Sequence, residues 1–164
     1  MSSITDEALC TAVGVAVLSS QAFEKMFVLA ARHAIKQSGA LTIEDVVPVD
    51  ALKAFKQPVS ALLKEISGDL EIEGLEDRVV KYIEDRNIVV HRLVTDTNWL
   101  DEEGREAIKQ TCLRVASESI KLHKIFTKMF GDWIKRFPEA QAVIDEYEVF
   151  KMYEDHPGSR PSNV

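Results

Sequence analysis

Residues 75–94 read LEDRVVKYIEDRNIVVHRLV, and their periodicity decides the fold. At about 100° per residue, Leu75, Val79, Tyr82, Ile83, Val90, Leu93 and Val94 gather into one stripe about 120° wide. That is the pattern of an amphipathic helix with one face on a core. Arg86 falls near the middle of the stripe, where an apolar side chain is expected. Burying a guanidinium is costly unless its donors meet carboxylates, carbonyls or a bound anion. A position that breaks an otherwise consistent pattern is a candidate functional site.

Helical spacing continues on both sides of this segment. Thr5, Asp6 and Glu7 open a first helix, on which Leu9, Val13, Ala16, Val17, Phe23, Phe27 and Ala34 recur until Ser38–Gly39 ends it. An irregularity is expected near Ser19–Ser20. Residues 40–48 read as a loop. Asp50 is placed to cap a short helix over 51–56, Pro58 to start another and Gly68 to close it. After an acidic loop comes the 75–94 helix, then a cap-rich turn at Thr95, Asp96, Thr97 and Asn98. A long helix over 102–135 follows, and Phe137–Pro138 breaks it. A last amphipathic helix is expected over 139–153, and the polar, proline-bearing tail 156–164 reads as disordered. The expected fold is all-α: one up-and-down helical bundle of four to five main helices, forming a single domain over 1–155.

The chain is 46% hydrophobic and 29% charged, enough apolar material for a core in 164 residues. Its longest apolar runs fall short of eighteen residues and no signal-type leader opens it, so no membrane span and a cytoplasmic location are expected. A net charge of −7 argues against coating duplex nucleic acid through bulk charge and confines any such contact to a local groove. Cys10 and Cys112 have no metal-ligand spacing and read as buried thiols. His33 and His123 have no metal-like companions, so no metal site and no cofactor are expected.

Asn87 and His91 lie four residues apart and share one edge of the 75–94 helix. Arg86 starts 100–140° around from them, within reach through its long side chain. Histidine moves protons near neutral pH, arginine matches phosphate oxygens in a bidentate fork, and asparagine can orient either. Together they suit attack on, or binding of, a phosphate. The structural alternative for Arg86 is an ion pair with Glu24, Glu76 or another acid. Elsewhere, Arg114, Lys121, Lys128 and Lys135 recur every seven residues with Lys124 adjacent, a solvated ridge or a track for an RNA backbone. Trp99 is placed either to pack its loop or to stack a base, and Trp133 reads as core or interface.

Arg86-Asn87-Ile88-Val89-Val90-His91 resembles the signature motif of HEPN domains: Arg, a polar residue often Asn, three more residues, then His. Gln21-Ala-Phe-Glu24 and Met26-Phe27-Val28-Leu29 look like that family's opening helix. Pro58-Val-Ser-Ala-Leu-Leu-Lys64 looks like its short second helix, without the glycine often seen there. The resemblance in helix order covers roughly residues 8–135. It implies a homodimer with two motifs at a shared cleft. It also implies a metal-independent endoribonuclease of the toxin–antitoxin, defence or RNA-processing kind, with a cognate antitoxin or regulatory protein as partner. His91 would then help activate a ribose 2′-hydroxyl and Arg86 stabilise the phosphorane. Other members are inactive or only bind nucleotides, so the alternative is a nucleotide- or protein-binding helical module that catalyses nothing. On that reading Lys121, Lys124, Lys128 and Trp99 are candidate RNA contacts.

Overall fold

The structure is a computed structural model that describes residues 5–96 and 98–139. The tail 156–164 and all but the first residue of the helix expected over 139–153 lie outside the described residues. Among those described there is no strand. Helix α1 spans Asp6–Leu29 and continues as a π-helical turn over Ala30–Ile35. Short α2 (Ala51–Ala54) and α3 (Val59–Ile66) follow. Helix α4 (Glu76–Asn87) passes into a second π segment at Ile88–Arg92 and then into α5 (Leu93–Asp96). The longest helix, α6, is Glu102–Ile134.

The starts follow the expected chemistry. The Thr5 hydroxyl accepts from Ala8 N (3.2 Å), and Asp50 accepts from Lys53 N (3.2 Å). Asp101 accepts from Gly104 N (2.7 Å), which satisfies an orphan donor of the first turn of α6. A Cβ at Gly104 would overlap the Asn98 carbonyl, so the tight turn into α6 needs glycine there. Gly68, with φ of 89°, ends the α3 segment in the left-handed region.

Two expectations change. Helix α1 is regular through Ser19 and Ser20, because their hydroxyls bond back to the Ala16 carbonyl (3.1 and 2.7 Å) without breaking the ladder. The widening comes instead at 30–35. Cys10 is exposed on the outer face of α1's first turns, whereas Cys112 is buried. By length and composition the 30-residue helix Asp6–Ile35 is also apolar enough to cross a membrane. A search for unbroken apolar runs misses this, because isolated serines and charges interrupt it.

The three long helices alternate in direction. Helix α1 runs beside α6 with the same polarity: Arg105 pairs with Asp6 and Ser119 meets Ser20 at 3.4 Å. Further along, Trp133 Nε1 donates to the Gln37 carbonyl (3.1 Å). Helix α4 runs antiparallel to α6, tied by Arg78 to Glu118 and by Arg114 to Asp85 (3.1 Å). Their common core centres on Phe23, Phe27, Tyr82 and Phe126. The Phe23 and Tyr82 rings meet edge to face at 4.8 Å, and Phe27 and Phe126 at 5.0 Å. A smaller cluster of Trp133, Ile134 and Phe137 closes the far end over Ala34 and Ala40.

Phe23→Ala should lower unfolding free energy by about 3–5 kcal/mol, since it leaves a cavity at the junction of three helices. Tyr82→Phe keeps the ring and should cost only about 1 kcal/mol, because Ser119 and Ser20 retain their backbone carbonyl acceptors. Urea denaturation of both variants checks the contrast.

Candidate functional site

Tyr82 sits at the helix junction, one turn before Arg86. Helix α4 therefore carries Arg86 out of the core and onto the wall of a cleft of about 390 Å3. Helix α1 supplies the opposite wall through Gln21, Glu24 and Lys25, and the turn between α2 and α3 closes the end with Phe55, Lys56 and Gln57. Arg86 is half-buried. Its Nε lies 2.7 Å from Glu24 Oε1, off the direction of the N–H, so this is an ion pair without an aligned hydrogen bond. Glu24 is thus the acid that answers the misplaced guanidinium. Glu76 is engaged elsewhere: its carboxylate accepts from Gly68 N (2.7 Å) and Ser67 Oγ (2.9 Å), which pull its pKa down.

The other end of Arg86 faces the rest of the triad. Nη1 donates to Asn87 Oδ1 (3.3 Å) and lies 3.4 Å from His91 Nε2. A guanidinium has no acceptor, so the contact with His91 forms only where Nε2 carries its lone pair. In an α-helix, residues five apart point about 140° away from one another. The π turn at Ile88–Arg92 has i to i+5 bonding, which brings the fifth residue round toward the same edge. The stripe leaves the α pattern at the same place: Val89 is buried and Val90 exposed, the reverse of the expected order. His91 itself is exposed, at the outer side of the guanidinium and outside the cleft lining.

The turn that closes the cleft is clamped to α1. Arg32 and Lys36, on and just after α1's π turn, both pair with Glu65 of α3 (3.0 and 2.7 Å). Gln57 bridges the two sides, accepting from Arg32 and donating to Glu65. Hydrogen bonds from Lys36 and Gln57 hold the Glu65 carboxyl down from 4.5 to about 2.

The remaining candidates lie elsewhere. Lys121, Lys124 and Lys128 are exposed on the side of α6 turned away from Leu122 and Phe126, and Lys128 pairs with Asp132. None of them lines the cleft. Trp99 is 45% exposed in the turn before α6, and Trp133 is in the core. His33 and His123 are half-buried, which lowers the pKa of each. Among the described residues no group of three His, Cys, Asp or Glu could hold a metal ion. Phe55, Lys56, Gln57 and Lys25 were not singled out from the sequence, and Gln21 entered only as part of the opening-helix resemblance. The available signal was weak: Phe55 fell near the end of the short helix expected over 51–56, and the structure leaves it in the turn between Ala54 and Pro58 instead. No protein-family model matches the chain, and neither a curated protein nor a solved structure does.

The Glu65 clamp predicts a pH signature. A carboxyl whose folded pKa is depressed contributes stability above its ordinary pKa and loses it as pH falls through the folded value. The difference in urea midpoint between the wild type and Glu65→Gln should be constant above pH 4.5 and shrink between pH 4.5 and about 2. A difference that does not change over that range would count against the clamp.

Proposed function

We propose that the chain is a HEPN-like endoribonuclease that needs no metal and acts as a cytoplasmic homodimer. The observation that carries this reading is the guanidinium of Arg86 lying 3.3–3.4 Å from both Asn87 and His91. His91 Nε2, whose lone pair faces Arg86 Nη1 at 3.4 Å in the free protein, takes the proton of a ribose 2′-hydroxyl once Arg86 turns its donor to the incoming phosphate. The 2′-oxygen then attacks the adjacent phosphorus, and the bond to the 5′-oxygen breaks. The products are a 2′,3′-cyclic phosphate and a 5′-hydroxyl, whose proton comes from solvent. Arg86 stabilises the charge that builds on the phosphoryl oxygens, and Asn87 and Glu24 hold the guanidinium in place. A cognate antitoxin or regulatory protein would keep such an activity in check.

An apolar stripe on α1 supports the homodimer. Thr11, Gly14, Val15, Leu18 and Ala22 recur at helical spacing and are all exposed, Leu18 by 68%. The stripe runs into Gln21 and Lys25, which belong to the cleft, so pairing there would bring two sites together. It also accounts for the hydropathy of α1 without a lipid phase, since the opposite face, with Ala16, Phe23 and Phe27, packs in the core.

A second reading is a nucleotide- or protein-binding module without catalysis, favoured by the Glu24 carboxylate that already occupies one side of Arg86. The two readings part on cleavage of a mixed cellular RNA pool in EDTA. His91→Ala should lower the rate at least about 100-fold while leaving the thermal midpoint unchanged, because the ring is exposed. Wild-type protein that cuts no RNA but binds nucleotide through Arg86 would favour the second reading. For the assembly, Leu18→Glu should convert a dimer to a monomer in sedimentation without unfolding it.

A further inference from the structure

We infer that the cleft between α1, the 55–58 turn and α4 is a subsite for one nucleotide of single-stranded RNA, its base stacked on Phe55 and its phosphate held by Lys25, Lys56 and Arg86. This rests on the ribonuclease reading for its place beside a scissile bond, but the binding itself stands on the geometry of the cleft. A volume of about 390 Å3 falls in the range of small-molecule sites and suits one nucleotide better than a duplex. The charge is right for a phosphate. Lys25, Lys56 and Arg86 face one carboxylate, Glu24, so the cleft carries a net charge of +2 on a chain of net −7. Such a local reversal focuses anions that the rest of the surface repels.

The apolar part fits a base. Phe55 is 44% exposed and lines the cleft, although α2 and α3 on either side have buried faces that it could have joined. Ile83 and Val59 extend the apolar surface beside it. An exposed aromatic ring next to lysines is the arrangement by which single-stranded nucleic acid is held, through stacking and backbone charge. Gln57, two residues from Phe55, is engaged by Arg32 and Glu65, which ties the end wall to α1 and α3. Base identity would matter less than the presence of a base, because stacking is tolerant of sequence.

Arg86 joins this subsite to the triad. Its side chain lines the cleft while Nη1 reaches His91 outside it. A phosphate at the guanidinium would therefore have one flanking nucleotide in the cleft and the other beside His91. The subsite would set which side of the phosphate is gripped and thus where the 2′-hydroxyl is presented.

The test is calorimetric titration of the full chain with adenosine monophosphate, ribose 5-phosphate and a short single strand of 2′-O-methylribonucleotides, which keeps the RNA sugar pucker but cannot be cut. Adenosine monophosphate should bind at least about tenfold more tightly than ribose 5-phosphate, and Phe55→Ala should erase that difference. Lys56→Gln should weaken both ligands and flatten the dependence on salt, and the 2′-O-methyl strand should displace the mononucleotide. Equal binding of the two phosphates by the wild type, or an unchanged ratio in Phe55→Ala, overturns the subsite. A strand that fails to displace the mononucleotide overturns its assignment to RNA. All arms are repeated in His91→Ala, so that loss of the ribonuclease reading is separable. Base-dependent binding without cleavage by the wild type would sink that reading and leave the subsite standing. Cleavage unaffected by Phe55→Ala would do the opposite.

Discussion

The edge of Tyr82 against Phe23 is the contact on which the site depends. Tyr82 is the point where α4 meets α1 and α6 together: its ring packs on Phe23 and its hydroxyl lies in hydrogen-bond contact with Ser119 Oγ (3.3 Å). Burial raises the tyrosine pKa, while the hydroxyls of Ser119 and Ser20 partly offset that effect. Satisfying a polar atom at this depth removes the penalty that would otherwise oppose the packing. With Tyr82 fixed there, the next turn of α4 must leave the core. Arg86 then lies at the boundary, one end toward Glu24 and the other toward solvent.

The pair of Glu24 and Arg86 illustrates how a misplaced charge is accommodated. A guanidinium on a core-facing stripe would be expensive alone, but Glu24 on α1 balances its charge without consuming all five donors. The remaining donors are what chemistry requires. A fully satisfied arginine would be structural, whereas one held on a single side is oriented and still available to an anion. The clamp of Arg32, Lys36 and Glu65 serves the opposite purpose, saturating its charges so that the turn bearing Phe55 and Lys56 stays against α1.

Much of the architecture was legible because helix ends carry local chemistry. Thr5, Asp50 and Gly68 sit where caps are needed and each acts close to itself in the chain, whereas the cap of α6 is Asp101 rather than one of the cluster from Thr95 to Asn98. The triad was legible for a different reason: Arg86 violates the period of its own helix. The cleft was not legible, because Gln21 and Lys25 are about thirty residues from Phe55 and about sixty from Arg86. Nothing in their local patterns refers to one another. The exposure of Cys10 was also missed, since α1 is apolar on nearly all sides and its periodicity does not say which face the partners cover.

The sequence by itself determined an all-α fold, the caps at Thr5, Asp50 and Gly68, and the three polar residues that stand out from the pattern. These follow from interactions over one or two turns, where spacing along the chain is spacing in space. Only the tertiary structure decided that Glu24 rather than Glu76 answers Arg86, and that Lys121, Lys124 and Lys128 lie off the cleft. It alone placed the π turn at 88–92 that swings His91 toward the guanidinium. Those outcomes depend on which helix faces are brought together and on how backbone hydrogen bonds relax once they are, and both are set by packing between segments far apart in the chain.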